Sequence, residues 1–150
     1  MMDLIQALQQ TLEHEIPLTQ HLALQVISYD ERGLTLGAPL APNINHKRTA
    51  FAGSLNSVVT LAGWGLLWLI LQEEEIPARV VIQDSACNYQ RPVSDDFTAF
   101  CQKPAPAEIA RMVEALRKRG RARIELHVEI RNATAVAVSF TGRYVILQAS

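Results

Sequence analysis

The sequence predicts an α+β fold in which one long apolar helix lies against an antiparallel sheet. Three observations carry this expectation. Residues 49–72 hold no charged side chain, and from Gly53 the chain is apolar with helical character for about twenty positions. Residues 78–91, 97–103, 122–131 and 134–147 alternate in polarity with the period of a half-buried strand. The predicted order is helix, hairpin, long helix, then strands interrupted by one inserted helix, and such segregation builds a helix layer on a sheet layer.

Each element has a local reason. In residues 3–15, Leu4, Ile5, Leu8 and Leu12 share one helical face, and Ile16-Pro17 ends the helix. Residues 19–29 read as extended, with Leu22, Leu24 and Val26 alternating against Ala23 and Gln25. Asp30-Glu31-Arg32-Gly33 turns the chain, and Leu34, Leu36, Ala38 and Leu40 resume the alternation as the second arm of a hairpin. Pro39, Ala41, Pro42 and Asn43 break it and open a loop that runs to about Ala52. Ser54 is a suitable start for the long helix, and Glu73-Glu74-Glu75 with Ile76-Pro77 stop it.

Gly63 and Gly65 inside that helix each cost about 1 kcal/mol relative to Ala. The cost is tolerable where another backbone or a sheet approaches closely, so the helix is expected to be wrapped. In residues 78–91 a strict alternation puts Val80, Ile82, Asp84, Ala86 and Asn88 on one face and Val81, Gln83, Ser85, Cys87 and Tyr89 on the other. Residues 104–119 form an amphipathic helix with Ile109, Met112, Val113 and Leu116 inward and Gly120 as its C-cap. Ala122, Ile124, Leu126, Val128 and Ile130 then alternate with charged neighbours, and Asn132-Ala133 leads into the last strand.

Composition narrows the function classes. A chain of 150 residues is enough for one domain with a full core, taken as 1–150, and 49% hydrophobic content excludes a disordered or coiled-coil chain. Fourteen basic against fifteen acidic residues leave no global field to draw nucleic acid or an anionic membrane. Two cysteines, Cys87 and Cys101, can neither build a disulfide framework nor complete a zinc site alone, and they suit a reducing cytoplasm; no metal and no cofactor is expected. The amino terminus lacks the basic region and apolar run of a secretion signal. The strongly apolar part of the long helix, residues 58–71, is shorter than the ~20 residues of a spanning segment, so a buried central helix is expected rather than a membrane one.

Several motifs in sequence order then carry a resemblance. Asn45 is followed six residues later by Phe51-Ala52-Gly53, which opens the long helix with Ser54-Leu55. Gly63-Trp64-Gly65 lies inside that helix, Tyr89-Gln90-Arg91-Pro92-Val93 precedes Asp95-Asp96, and Phe140-Thr141-Gly142-Arg143-Tyr144 lies near the end. In order and spacing, over nearly the whole chain, these segments resemble the hotdog-fold acyl-CoA thioesterase superfamily. They are most similar to the thioesterase-like domain at the C-terminus of some bacterial acetyltransferase fusions. The resemblance implies a hotdog fold, hydrolysis of acyl-CoA or acyl-carrier thioesters by direct water attack, and assembly as a homodimer or dimer of dimers, because a lone subunit leaves a sheet edge and half a site uncovered.

Two departures bear on the chemistry. Phe51-Ala52-Gly53 stands where the family commonly has His-Gly-Gly, and Thr60 stands where an acidic base often lies on the helix. Thioester hydrolysis needs a polarised carbonyl, an activated water and an acyl slot. Backbone N–H groups at a helix start can polarise the carbonyl, which implicates Phe51, Ala52, Gly53 and Ser54 in substrate binding; a plain helix cap is the alternative. Asn45 can hold the water or the carbonyl, or merely bond its own turn. Asp84 is the one acid in residues 79–91, and buried among Val80, Ile82 and Ala86 its pKa would be raised toward that of a general base. Thr60 and Ser85 are secondary polar candidates, and His46 is a solvated loop residue that can still move protons.

Arg117, Lys118, Arg119, Arg121 and Arg123 form the densest charge cluster. Arg117, Arg119 and Arg121 can grip coenzyme A phosphates, with Lys47-Arg48 as a rival, although a solvated helix end explains the same residues. Trp64 and Trp68 are expected in core or dimer packing, and both cysteines act as small hydrophobes. Because Thr60 replaces a carboxylate, a non-catalytic acyl-thioester binding module and a regulatory dimerisation domain stand beside the enzyme reading.

Overall fold

The structure, a computed structural model that describes residues 3–149, joins a six-stranded antiparallel sheet to a long central helix. Two short helices come first, α1 (Leu4–Glu15) and α2 (Leu18–Leu22). The hairpin β1 (Gln25–Tyr29) and β2 (Gly33–Ala38) follows, then the central α3 (Ala52–Glu73). The remainder is β3 (Ala78–Tyr89), β4 (Phe97–Gln102), α4 (Pro106–Arg119), β5 (Arg121–Arg131) and β6 (Val136–Gln148). The strand order is β1-β2-β4-β5-β6-β3, so β3 forms one edge.

One expectation is corrected in the hairpin. Residues 19–22, read as extended with the rest of 19–29, belong to α2, because Ile16-Pro17 ends α1 and a second helical turn immediately follows. Ala23 closes that turn in the left-handed conformation (φ 55°), and Thr19 is buried with its Oγ1 donating to the Leu12 carbonyl at 3.0 Å. The strand therefore starts only at Gln25.

The sheet wraps α3, and the core lies between them. Leu34, Leu36, Ala99, Cys101, Leu126, Val128, Phe140, Tyr144 and Ile146 face the helix and are all buried. Burial of this kind contributes about 25 cal/mol per Å² of apolar surface removed from water. The helix glycines have the expected cause: a Cβ on Gly63 would come within 2.2 Å of the Tyr144 hydroxyl, and one on Gly65 within 3.0 Å of Leu34. Helix α3 has the length and apolarity of a membrane span, but two thirds of its most apolar window (67%) is buried inside this fold.

Candidate functional site

The loop before α3 is built around Asn45. Its Oδ1 accepts the N–H groups of Lys47 (2.8 Å) and Thr49 (3.1 Å), and its Nδ2 donates to Thr49 Oγ1 (3.0 Å). This turn lets Arg48 sit in the left-handed region at φ 64°. The Asn45 amide is thereby committed to shaping residues 45–50 rather than presented to a ligand. The loop is pinned on both sides: Ala50 N–H donates to the Val93 carbonyl at 2.8 Å and Phe51 N–H to the Asn43 carbonyl at 2.7 Å.

Phe51 is extended and offers no side-chain cap, and the first helical bond runs from Leu55 N–H to the Phe51 carbonyl. Among the described residues, the N–H groups of Ala52, Gly53 and Ser54 have no partner. They point out of the positive end of a 22-residue helix. The Phe51 ring folds back over this turn, so close that a Cβ on Gly53 would meet it at 2.3 Å. Beside the turn lies an open cavity of about 220 Å³, whose wall includes Asn45, Ala50, Leu55, Tyr89, Arg91 and Val93.

The other wall comes from β3, and its face is set by a bulge. Ile82 pairs with Tyr144 but Asp84, not Gln83, pairs with Arg143, so the alternation slips by one residue. Ser85, Cys87 and Tyr89 pair with Gly142, Phe140 and Val138, residues of β6 on the α3 side. Tyr89 accordingly turns toward the helix, where Asn56 Nδ2 donates to its hydroxyl (3.2 Å) and the hydroxyl donates to the Ala52 carbonyl (3.4 Å). Partial burial raises the Tyr89 pKa, so the phenol stays protonated and able to donate. One helical turn on, Thr60 Oγ1 donates to Asn56 Oδ1 (3.3 Å), and beneath it the buried Tyr144 hydroxyl donates to the Thr60 carbonyl (2.7 Å). The sequence reading missed the Asn56–Tyr89 pair. Its available signal was an amide on a charge-free helix, four residues before Thr60 on the same face.

The same bulge corrects the expectation for Asp84. It is exposed on the sheet's outer face, where Arg143 Nε donates to Oδ1 at 2.8 Å and Arg143 Nη2 bonds Oδ2. The hydrogen bonds from Arg143 hold its pKa below the ordinary carboxylate value, opposite to the rise that burial would have produced. Ser85 moves the other way, onto the helix side, and remains exposed.

The structure brings together Asn45, Phe51, Ala52, Gly53 and Ser54, with Thr60 two turns along the helix. It does not bring Arg117, Arg119 and Arg121 to them. Arg121 pairs with Leu147 of β6 whereas Tyr89 pairs with Val138, nine residues away along one strand, about 30 Å at strand rise. Among the described residues, Lys47, Arg48 and Arg91 stand at the near end without an ion pair.

Comparison with known proteins follows the same outline. Residues 5–148 match the model of a family described as "Putative thioesterase (yiiD_Cterm)". A crystal structure of a protein of unknown function from Chlorobaculum tepidum is 36% identical, with 96% of this chain and 94% of that one covered and a TM-score of 0.93. A "putative thioesterase" from Shewanella oneidensis is 30% identical over 96% of this chain and 97% of that one, TM-score 0.87. A thioesterase from Haemophilus influenzae shares the fold at 14% identity, covering 99% of this chain and 92% of that one, with a TM-score of 0.72.

Proposed function

Since the chain belongs to this thioesterase family and has its hotdog fold, we propose that it hydrolyses acyl-CoA or acyl-carrier thioesters by direct attack of water. The observation that carries the reading is the first turn of α3: three unpartnered N–H groups, from Ala52, Gly53 and Ser54, beside an open cavity. Donors fixed in this way stabilise the oxyanion that forms when water adds to the thioester carbonyl, and one such donor is typically worth about 10²–10³ in rate. The water gives up one proton to solvent as it adds, the carbonyl–sulfur bond then breaks, and the thiolate leaves and is reprotonated from solvent as the carboxylic acid is released.

Proton removal from the water is the weaker half of this site. Thr60 is a hydroxyl already donating to Asn56, and Asp84 is held in an ion pair on the other sheet face. Among the described residues of the first turns of α3, Ser57 and Thr60 already donate elsewhere, and Ser54 is the hydroxyl left to hold the water. A positioned general base commonly supplies about 10²–10⁴, so a slow hydrolase is expected. This same deficiency favours a second reading, a module that binds acyl thioesters without turning them over. Initial rates on a panel of acyl-CoAs, beside calorimetric binding of free coenzyme A, separate the two: turnover supports the first, binding without turnover the second, and neither result sinks both.

The subunit is proposed to work as a homo-oligomer. Edge strand β3 carries exposed Val81 and Ile82 along twelve residues, one side of which is unpaired within the chain. The cytoplasm is the proposed compartment, in keeping with the free thiols of Cys87 and Cys101.

A further inference from the structure

Two routes lead away from a carbonyl seated on the first turn of α3. One enters the 220 Å³ cavity, whose apolar wall is Ala50, Leu55 and Val93, all buried and backed by the core. The other runs along the seam between α3 and the edge strand, where Ile82, Ser85 and Cys87 lie opposite Tyr144, Gly142 and Phe140 on the helix side of the sheet and the Tyr144 hydroxyl bonds the Thr60 carbonyl. Gly142 carries no side chain there, and the rings of Phe140 and Tyr144 lean over it, each within 3 Å of where its Cβ would lie.

The seam is fastened at both ends. At the far end Trp64 Nε1 donates to the Val80 carbonyl at 3.1 Å. At the near end Tyr89 is bonded to both Asn56 and the Ala52 carbonyl, so its ring stands between the cavity and the seam. Only the β3 bulge puts it there; a regular strand would turn Tyr89 to the outer face with Val81.

We infer that Tyr89 closes the seam to the acyl chain, so that the site takes short acyl thioesters and Tyr89 sets the upper limit on their length. The inference rests on the thioesterase reading and names its substrate class. An acyl chain that stays within the cavity gains affinity with each buried methylene, about fourfold per CH₂. A longer chain meets the Tyr89 ring on one side and the packed core on the other, and its extra methylenes remain in water and add nothing.

The test compares the wild type, Tyr89→Ala and Tyr89→Phe on acetyl-, butyryl-, hexanoyl-, octanoyl- and dodecanoyl-CoA. It measures kcat/KM, and in parallel the Kd of the matching non-hydrolysable thioethers. For the wild type both quantities should improve by about fourfold per methylene up to a short chain and then stop. Tyr89→Ala should move that break to longer chains, improving dodecanoyl over wild type by tenfold or more. Tyr89→Phe keeps the ring and should keep the wild-type break, which separates ring bulk from the hydroxyl's bonds. Tyr89 is about half exposed, 47%, so its removal leaves the core intact. A wild-type profile that keeps improving to dodecanoyl, or a break that Tyr89→Ala leaves in place, overturns the inference. Absence of turnover with every thioester overturns the hydrolase reading instead, and the thioether Kd profile still decides the length limit. Absence of any binding overturns both.

Discussion

Replacing Gly63 by Ala tests whether α3 is shaped by its own helical preference or by the sheet beneath it. On propensity alone, Gly→Ala in a helix interior stabilises by about 1 kcal/mol. Here the new methyl would lie 2.2 Å from Tyr144 Oη and 2.5 Å from its Cζ, distances at which something must move. Tyr144 is fully buried and cannot swing into solvent. Overpacking of this kind costs about 1–3 kcal/mol, and displacing the ring also loses the 2.7 Å bond from its hydroxyl to the Thr60 carbonyl, about 1 kcal/mol net. The balance is a loss of about 2 kcal/mol, or a Tm lower by about 4–8 °C for a chain of this size. Urea unfolding with a fixed m-value measures it. In a double-mutant cycle with Tyr144→Leu, the two changes should be at least about 1 kcal/mol less harmful together than their sum, since they meet at one contact. A Gly63→Ala protein more stable than wild type would refute the argument, because it would show that the ring yields at no cost.

Other expectations follow from the site and the sheet. Gly53→Ala puts a methyl 2.3 Å from the exposed Phe51 ring, which can swing away; stability should change by less than about 1 kcal/mol while the displaced ring obstructs the carbonyl and lowers kcat at least tenfold, read from initial rates and a melting curve. Asp84→Asn should leave kcat within twofold, since Asp84 faces away from α3. Its stability effect has a definite sign: the folded-state pKa is depressed, so the contribution is present above the unfolded value near 3.9 and is lost as pH falls through the lower folded value. Urea midpoints of wild type and variant should therefore differ at pH 6 and converge in acid. Neutralising Arg117, Arg119 and Arg121 together should leave KM for coenzyme A thioesters unchanged, because they lie at the far end of the sheet; a rise that fades with salt would show that a second subunit's cluster reaches the site. One thiol, Cys87, should react with a disulfide reagent in the native protein and two after denaturation, since burial pushes the Cys101 thiol up to about 12.

The fold was legible because its main signals are periodic and local. Leu8 and Leu12 on one helix face, and Ala122, Ile124, Leu126, Val128 and Ile130 on one strand face, are all buried as their spacing demands. Gly120 closes α4 at φ 74°, the left-handed cap its position implies. Residues 18–22 were not legible, since five residues can satisfy either period and the choice between helix and strand was made by α1 and the buried Thr19 hydroxyl.

At the site the difficulty is one of parity rather than identity. Gln83 adds a residue that β6 does not match, and everything after it in β3 exchanges faces. Strict alternation groups Asp84 with Val80 and Ile82, and from that grouping a buried carboxylate with a raised pKa is a sound deduction. With the bulge, the same carboxylate lies in an ion pair with Arg143, while Ser85, Cys87 and Tyr89 line the seam beside α3. No local signal marks this slip: residues 82–84 read Ile-Gln-Asp, with neither Gly nor Pro to suggest irregularity. What marks it lies across the sheet, where Gly142 opposes Ser85 and its missing side chain lets the rings of Phe140 and Tyr144 close over it. The consequence for chemistry is that the polar groups on the helix side are neutral: Asn56, Thr60, Ser85 and Tyr89. Neutral donors can hold a carbonyl and a water in place at any pH near neutrality, but they cannot take up a proton as a carboxylate does. Hydrolysis at such a site is therefore expected to rise with hydroxide concentration between pH 6 and 8.5 instead of levelling at the pKa of a protein base, and a plateau near pH 6–7 in kcat would show that a titrating group, His46 of the loop or one from a second subunit, takes up the proton.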